Sequence, residues 1–224
     1  DKKTRLPVIV WICGGGFTEV DRNVWMPEMA WFTKRGFAVA SIDYSVAYRS
    51  RYPELVEDVK LGIRFLKAHG EEFGVDTSRI AVMGESAGGY LSAFCGLTGK
   101  VKKFDKGGYG EYTSEVQAAI PWYPPCGMRD LEVDPAKVTV PYDCREYEDL
   151  DKYAAGDVPP FLILHGSGDT LVPVSEGERI YGALEKAGAD VDMIIIEGAE
   201  HADAAFVQEE TKQLILDFLK AKLK

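Results

Sequence analysis

Short apolar runs alternate along the chain with longer segments in which apolar residues recur at helical spacing. Most of the runs are continuously apolar, which is typical of parallel strands covered on both faces. They predict six strands, at residues 6–12, 37–42, 80–83, 116–120, 161–164 and 191–196. This alternation indicates the α/β class, with a mostly parallel sheet and helices on both of its faces.

Four segments have the period of a helix and carry residues that favour helix termini. Pro53 is suited to the first turn of one helix and Gly70 to its end. The predicted helices cover residues 53–70, 86–97, 173–187 and 204–223. Their apolar faces are expected to pack against the sheet.

The expected organisation is a single domain over residues 1–224, without a large separate cap domain, because the length suits one core. Two stretches break the alternation of strands and helices, at about 99–114 and 123–158. Long loops often cover active sites. We therefore expect both insertions to lie near the active site.

The charge balance excludes several classes of partner. Lys and Arg number 26 against 36 Asp and Glu, and the formal net charge is −10, which opposes binding to nucleic acid and to anionic lipid. The apolar runs have strand length, far below the roughly 20 residues that a membrane-spanning helix needs. We expect neither nucleic acid nor a membrane as partner, and the oligomeric state stays open.

The cysteines and histidines form no recognisable metal motif. The four cysteines contain no C-x-x-C pair and the three histidines are far apart, so we expect no metal and no other cofactor. Cys126 and Cys144 lie in a loop-rich stretch and could pair, but free thiols are the favoured interpretation. We expect a cytoplasmic protein; secretion stays open if an N-terminal segment has been removed.

The strongest candidate for chemistry is the segment GESAGG at residues 84–89, which follows a predicted strand and precedes a predicted helix. In that setting G-x-S-x-G describes a sharp turn that exposes the serine at the edge of the sheet. The alternative is a glycine-rich turn whose serine merely caps the helix. The flanking strand and helix favour Ser86 as a nucleophile.

A serine hydroxyl needs a base to accept its proton and an acid to orient that base. His201 follows the last predicted strand and Asp169 follows the strand before it, which places both at the carboxyl edge of the sheet. We predict His201 as general base and Asp169 as its orienting acid. Asp157 precedes its strand and Asp203 is almost adjacent to His201, so neither competes well. His165 ends a buried strand and is expected to be a core group.

A run of three glycines follows the first predicted strand, in the segment CGGGF at residues 13–17. Glycines there allow backbone N–H groups to turn toward a developing oxyanion. We predict Gly15 and Gly16 as donors, with the N–H of Ala87 completing the oxyanion hole. The alternative is a flexible glycine turn at a strand end.

The segments GGGF, GESAGG, HGSGDTLVP and GAEH occur in that order along the chain. In this the sequence resembles esterases of the α/β-hydrolase superfamily, most closely the acetyl xylan and feruloyl esterase-like members of the hormone-sensitive-lipase-like carboxylesterase group. The resemblance covers nearly the whole chain and implies the α/β-hydrolase fold, a triad of Ser86, Asp169 and His201, and the oxyanion donors named above. Family members usually carry His before the glycines, where this chain has Cys13, and more sheet ahead of the first strand.

The resemblance implies hydrolysis of carboxylic esters through an acyl-enzyme. We expect short-acyl (acetyl) or feruloyl esters of carbohydrates, as small molecules or oligosaccharides, since small size and the lack of a cap favour small acyl groups. Phe17, Trp122 and Tyr123 follow strand ends and are candidates for lining the pocket or for core packing. An amidase or peptidase with the same triad, and a non-catalytic ligand-binding member of the fold, are the alternatives.

Overall fold

The computed structural model describes residues 5–127 and 147–224 of the chain. Over these residues the backbone forms a sheet of six strands in the order β2-β1-β3-β4-β5-β6, and every pairing is parallel. The strands are β1 Leu6–Ile12, β2 Ala38–Ile42, β3 Val75–Glu85, β4 Ala118–Trp122, β5 Phe161–Gly166 and β6 Val191–Ile196. The predicted α/β class is confirmed.

Helices cover both faces of the sheet. They are α1 Met26–Thr33, α2 Glu54–Phe73, α3 Ala87–Leu97, α4 Val174–Lys186 and α5 Glu209–Lys222, with short 3₁₀ helices at Lys102–Phe104, Leu150–Tyr153 and Ala204–Val207. No helix within the described ranges is both long enough and apolar enough to cross a membrane.

Strand β1 shows why the strands are continuously apolar. Val8, Val10 and Ile12 lie in the core layer beneath α2, α3 and α4. Ile9 and Trp11 point to the opposite layer, which packs against α1 and α5. All five side chains are 0–1% exposed, and burial of a large apolar side chain contributes about 1.5–3 kcal/mol.

The observed boundaries differ from the predicted ones where tertiary contacts outweigh local signals. Helix α2 continues past Gly70 and ends at Gly74, whose φ of 70° closes the helix. Gly70 instead allows close packing, because a Cβ there would lie 2.2 Å from Cγ2 of Thr77. Helix α1 was not predicted, and the predicted helix 204–223 is divided ahead of Glu209.

The first predicted insertion, 99–114, is fastened to α2 by three cationic side chains, which reach it or the residues on either side of it. Nζ of Lys60 donates to the carbonyl oxygen of Thr98 at 2.7 Å, and Nζ of Lys67 donates to that of Glu115 at 2.6 Å. Arg64 donates to the carbonyl of Lys106 in the same way. The loop path is therefore set by the helix beneath it.

The second predicted insertion, 123–158, lies partly outside the described residues, and Cys144 lies outside them. Cys13, Cys95 and Cys126 are buried free thiols. Where the insertion is described, Glu176 of α4 holds its start, since Oε2 of Glu176 accepts the N–H of Cys126 at 2.9 Å.

Candidate active site

Ser86 occupies a strained turn between β3 and α3. Its backbone has φ 55° and ψ −118°, a conformation that residues other than glycine rarely adopt. The turn brings α3 close against β1, because a Cβ on Gly88 would lie 2.0 Å from the carbonyl oxygen of Ile12. The N–H of Ser86 donates to the carbonyl of Trp122 at 3.0 Å. Strand β3 thus delivers the serine to the carboxyl edge of the sheet.

Ser86, His201 and Asp169 form a continuous hydrogen-bonded chain. Nε2 of His201 lies 2.9 Å from Oγ of Ser86, and Nδ1 of His201 lies 2.7 Å from Oδ2 of Asp169. The structure thus unites three side chains that are separated by 115 and 32 residues in sequence. This geometry suits the tautomer with its proton on Nδ1, which leaves Nε2 to accept from the serine hydroxyl.

Both carboxylate oxygens of Asp169 are engaged. Oδ1 accepts the N–H groups of Leu171 and Val172 at 2.9 and 2.8 Å, while Oδ2 faces His201. The Asp169 side chain is fully buried, and that of His201 is 15% exposed. The backbone of the loop after β5 therefore holds the Asp169 carboxylate in place, and this carboxylate in turn orients the imidazole of His201.

An aromatic ring supports His201 from the side. Tyr123 meets the imidazole edge-on, with ring centroids 4.7 Å apart, and Phe206 packs against Tyr123 with centroids 4.5 Å apart. Tyr123 and Trp122, both considered as pocket lining, are 0% exposed. Trp122 packs between Trp11 and Phe206. Both side chains therefore pack in the core, one of the two roles considered for them.

Phe17, the third aromatic residue considered for the pocket, is 2% exposed. Its ring makes edge contacts with Tyr90 and Tyr147, at centroid distances of 5.6 and 4.8 Å. It belongs to an aromatic cluster beside the glycine loop and the first turn of α3.

The competing acids and histidine have other partners. Asp157 pairs with Lys100 at 2.6 Å, and Asp203 accepts the N–H of Ala205 to begin a 3₁₀ helix. His165 is fully buried; its Nε2 donates to the carbonyl of Val172 at 2.9 Å. Burial lowers the pKa of His165, so this imidazole is neutral near pH 7.

The glycine loop after β1 is folded as a tight turn. Gly15 has φ 131° and Gly16 has φ 56°, and the carbonyl of Gly15 accepts the N–H groups of Thr18 and Glu19 at 3.0 Å. Within the described part of the chain, the N–H groups of Gly15, Gly16 and Ala87 donate to no other residue. The remaining glycine differs, since the N–H of Gly14 donates to Oε1 of Glu85 at 2.5 Å.

Sequence reasoning did not assign a role to Glu85. The pattern G-x-S-x-G leaves this position unspecified, although an acidic residue at the end of a buried strand is itself a signal. The other titratable groups offer no metal site, since no group of three or more His, Cys, Asp or Glu in residues 5–127 and 147–224 could hold an ion.

A parallel sheet with a serine turn after β3 and an acid and a histidine at later strand ends defines a member of the α/β-hydrolase fold. A family model described as BD-FAE matches residues 1–184, and the chain belongs to this family. The resemblance inferred from the sequence motifs is confirmed.

Solved structures are similar over almost the whole chain. A truncated carbohydrate esterase from gut microbiota has a TM-score of 0.88 at 26% identity, covering 98% of this chain and 87% of that one. The butyrate-bound esterase Est2 of Thermogutta terrifontis has a TM-score of 0.83 at 26% identity, covering 99% and 85%.

A curated relative is the probable carboxylic ester hydrolase LipM of Mycobacterium tuberculosis. It is 33% identical over 195 residues, which are 80% of this chain and 45% of LipM. The chain spans about half the length of the curated relatives it matches.

Proposed function

We propose that the protein is a serine hydrolase that cleaves carboxylic esters, with Ser86 as nucleophile. The observation that carries this proposal is the hydrogen-bonded chain from Oγ of Ser86 through His201 to Asp169, at 2.9 and 2.7 Å. The strained backbone of Ser86 supports the same role, and the relatives named as ester hydrolases support the reaction class.

The reaction begins when Oγ of Ser86 attacks the ester carbonyl carbon while Nε2 of His201 accepts the hydroxyl proton. The imidazolium is stabilised by the buried carboxylate of Asp169. The carbonyl oxygen becomes an oxyanion, which the N–H groups of Gly15, Gly16 and Ala87 stabilise; each such donor is typically worth about 3 kcal/mol in the transition state.

Collapse of the tetrahedral intermediate breaks the ester C–O bond. His201 gives its proton to the departing alkoxide, and the acyl group remains on Ser86 as an ester. A water molecule then attacks the acyl carbon while His201 accepts one of its protons. The bond between the acyl carbon and Oγ of Ser86 then breaks, the carboxylic acid leaves, and His201 returns its proton to Oγ.

The substrates we propose are short-acyl, mainly acetyl, or feruloyl esters of carbohydrates, as small molecules or oligosaccharides. The buried cluster of Phe17, Tyr90 and Tyr147 supports a small acyl group, because these rings fill space beside the glycine loop. The similar structures of a carbohydrate esterase and of a butyrate-bound esterase support the same class of substrate.

A substrate panel tests the proposal. We expect the protein to hydrolyse p-nitrophenyl acetate faster than p-nitrophenyl dodecanoate, and to release acetate or ferulate from substituted xylo-oligosaccharides. A fluorophosphonate probe should label the wild type and not Ser86→Ala. A protein that resists the probe and every ester would be a binding protein, and cleavage of amides alone would make it an amidase.

A further inference from the structure

Glu85 is a buried carboxylate beside Ser86 that the mechanism above does not use. It is the last residue of β3 and is 6% exposed. Burial raises the pKa of its carboxyl, while the N–H of Gly14, the nearby His201 and the hydroxyl of Tyr123 act in the opposite direction. Burying an ionisable group is costly unless a partner compensates. The groups that bind the Glu85 carboxylate therefore indicate its role.

Its main-chain partner is the peptide unit that joins Cys13 to Gly14. The N–H of this unit donates to Oε1 of Glu85 at 2.5 Å. The carbonyl of the same unit accepts the hydroxyl of Tyr44 at 3.0 Å. Because a peptide unit is planar, hydrogen bonds to both of its edges fix its rotation.

This fixed peptide unit directly precedes the proposed oxyanion donors. Gly15 and Gly16 both have positive φ, and glycine backbones rotate more freely than others. Rotation at Gly14 would redirect the N–H groups that follow. The contact is also tight, since a Cβ on Gly14 would lie 2.6 Å from Oε1 of Glu85.

We propose that Glu85 is a positioning residue for the oxyanion hole: it accepts the N–H of Gly14 and thereby aims the N–H groups of Gly15 and Gly16. This inference rests on the proposed function. This role requires a hydrogen-bond acceptor on a side chain as long as that of glutamate, and it does not require a negative charge.

Two substitutions of Glu85 separate the effect of side-chain length from the effect of charge. Glu85→Gln keeps the length and a carbonyl acceptor but removes the charge, whereas Glu85→Asp keeps the charge and is one methylene shorter. We expect Glu85→Asp to lower kcat by about 10- to 100-fold with KM within about threefold, somewhat less than loss of a whole oxyanion donor. Glu85→Gln should have a kcat much closer to that of the wild type than Glu85→Asp has. Glu210→Asp, at an exposed position of α5, is the control and should match the wild type.

Two further measurements report on the loop itself. A trifluoromethyl ketone inhibitor, whose adduct carries an oxyanion, should bind Glu85→Asp more weakly by the same factor as the loss in kcat/KM. Amide hydrogen exchange at Gly14 should be faster in Glu85→Asp than in Glu85→Gln.

Equal losses in Glu85→Gln and Glu85→Asp would overturn the inference, as would unchanged inhibitor binding in a Glu85→Asp variant of low kcat. If Glu85→Asp does not fold, Tyr44→Phe removes the other hold on the same peptide unit; it should lower kcat several-fold at constant KM, and wild-type kcat would count against the role. If the wild type cleaves no ester, the proposed function fails, and exchange at Gly14 still decides whether Glu85 holds this loop.

Discussion

The carbonyl oxygen of Ile12 occupies the space that any side chain on Gly88 would need, at 2.0 Å from an ideal Cβ. The contact joins the end of β1 to the first turn of α3, the two elements that carry the glycine loop and Ser86. Because the opposing atom belongs to backbone, it cannot move aside as a flexible side chain would.

Gly88→Ala should therefore destabilise the protein, by about 3 kcal/mol, since overpacking against backbone forces the helix away from the strand. Urea denaturation measures the free energy of unfolding. Gly182→Ala in α4 is the matched control: a Cβ there meets nothing within 4 Å, so this variant should be more stable than the wild type by about 0.5–1 kcal/mol. Equal effects of both substitutions would contradict the packing argument.

The proposed catalytic residues predict a graded series of kinetic defects. Ser86→Ala and His201→Ala should each lower kcat by about four orders of magnitude or more, with KM within a few-fold, because they remove the covalent step. Asp169→Asn should be about 10- to 100-fold less severe, since Asp169 orients the base and does not react. Steady-state hydrolysis of p-nitrophenyl acetate measures all three. Near wild-type kcat for Ser86→Ala would require another nucleophile.

His165 predicts a pH dependence of stability. Burial lowers the pKa of His165 in the folded state, so the unfolded chain binds a proton more readily. The stabilising contribution is therefore complete above the unfolded pKa, about 6.5, and is lost as the pH falls below that value, by at most about 1.4 kcal/mol per pH unit.

His165→Gln, which keeps a donor for the carbonyl of Val172, should remove this dependence. The test is the free energy of unfolding of both proteins between pH 5 and pH 8. We expect the wild type to lose stability relative to His165→Gln on the acid side. Parallel curves would show that His165 does not titrate in this way.

Asp105 predicts a strong effect on stability through the cations of α2. It lies 3.3 Å from Nζ of Lys60 and 3.6 Å from Nη1 of Arg64, and both cationic side chains are almost completely buried. Asp105→Asn leaves two buried cations without a carboxylate and should cost about 3 kcal/mol or more. Thermal denaturation checks this. Asp157→Asn, which breaks an exposed pair with Lys100, should leave the Tm unchanged.

The sequence was most informative where chemistry and topology coincide. Ser86, Asp169 and His201 each follow a strand, and parallel strands place all their carboxyl ends at one edge. Their convergence in space could therefore be predicted from strand order alone. The limits of β1 and β6 were predicted correctly, at residues 6–12 and 191–196.

Other features depend on contacts that no local pattern records. The link from Glu85 to Gly14 follows from the register that sets Ile12 beside Gly84, which sequence reasoning did not fix. Trp122 and Tyr123 end a strand at the correct edge, yet both point into the core. Glycine is a common residue at helix ends, which is why Gly70 was a reasonable candidate. Its backbone instead packs closely against the side chain of Thr77, a contact that only the folded structure shows.

The cationic side chains of α2 limit which positions of this protein can change in evolution. Lys60, Arg64 and Lys67 donate to main-chain carbonyl groups of the segment 98–115, and such groups are the same whatever amino acids surround them. Apart from Asp105, which pairs with Lys60 and Arg64, exposed side chains of that segment can therefore change in evolution without altering its course. Helix α2 has less freedom, because exchanging one of its cations would remove a hydrogen bond that fixes this part of the surface.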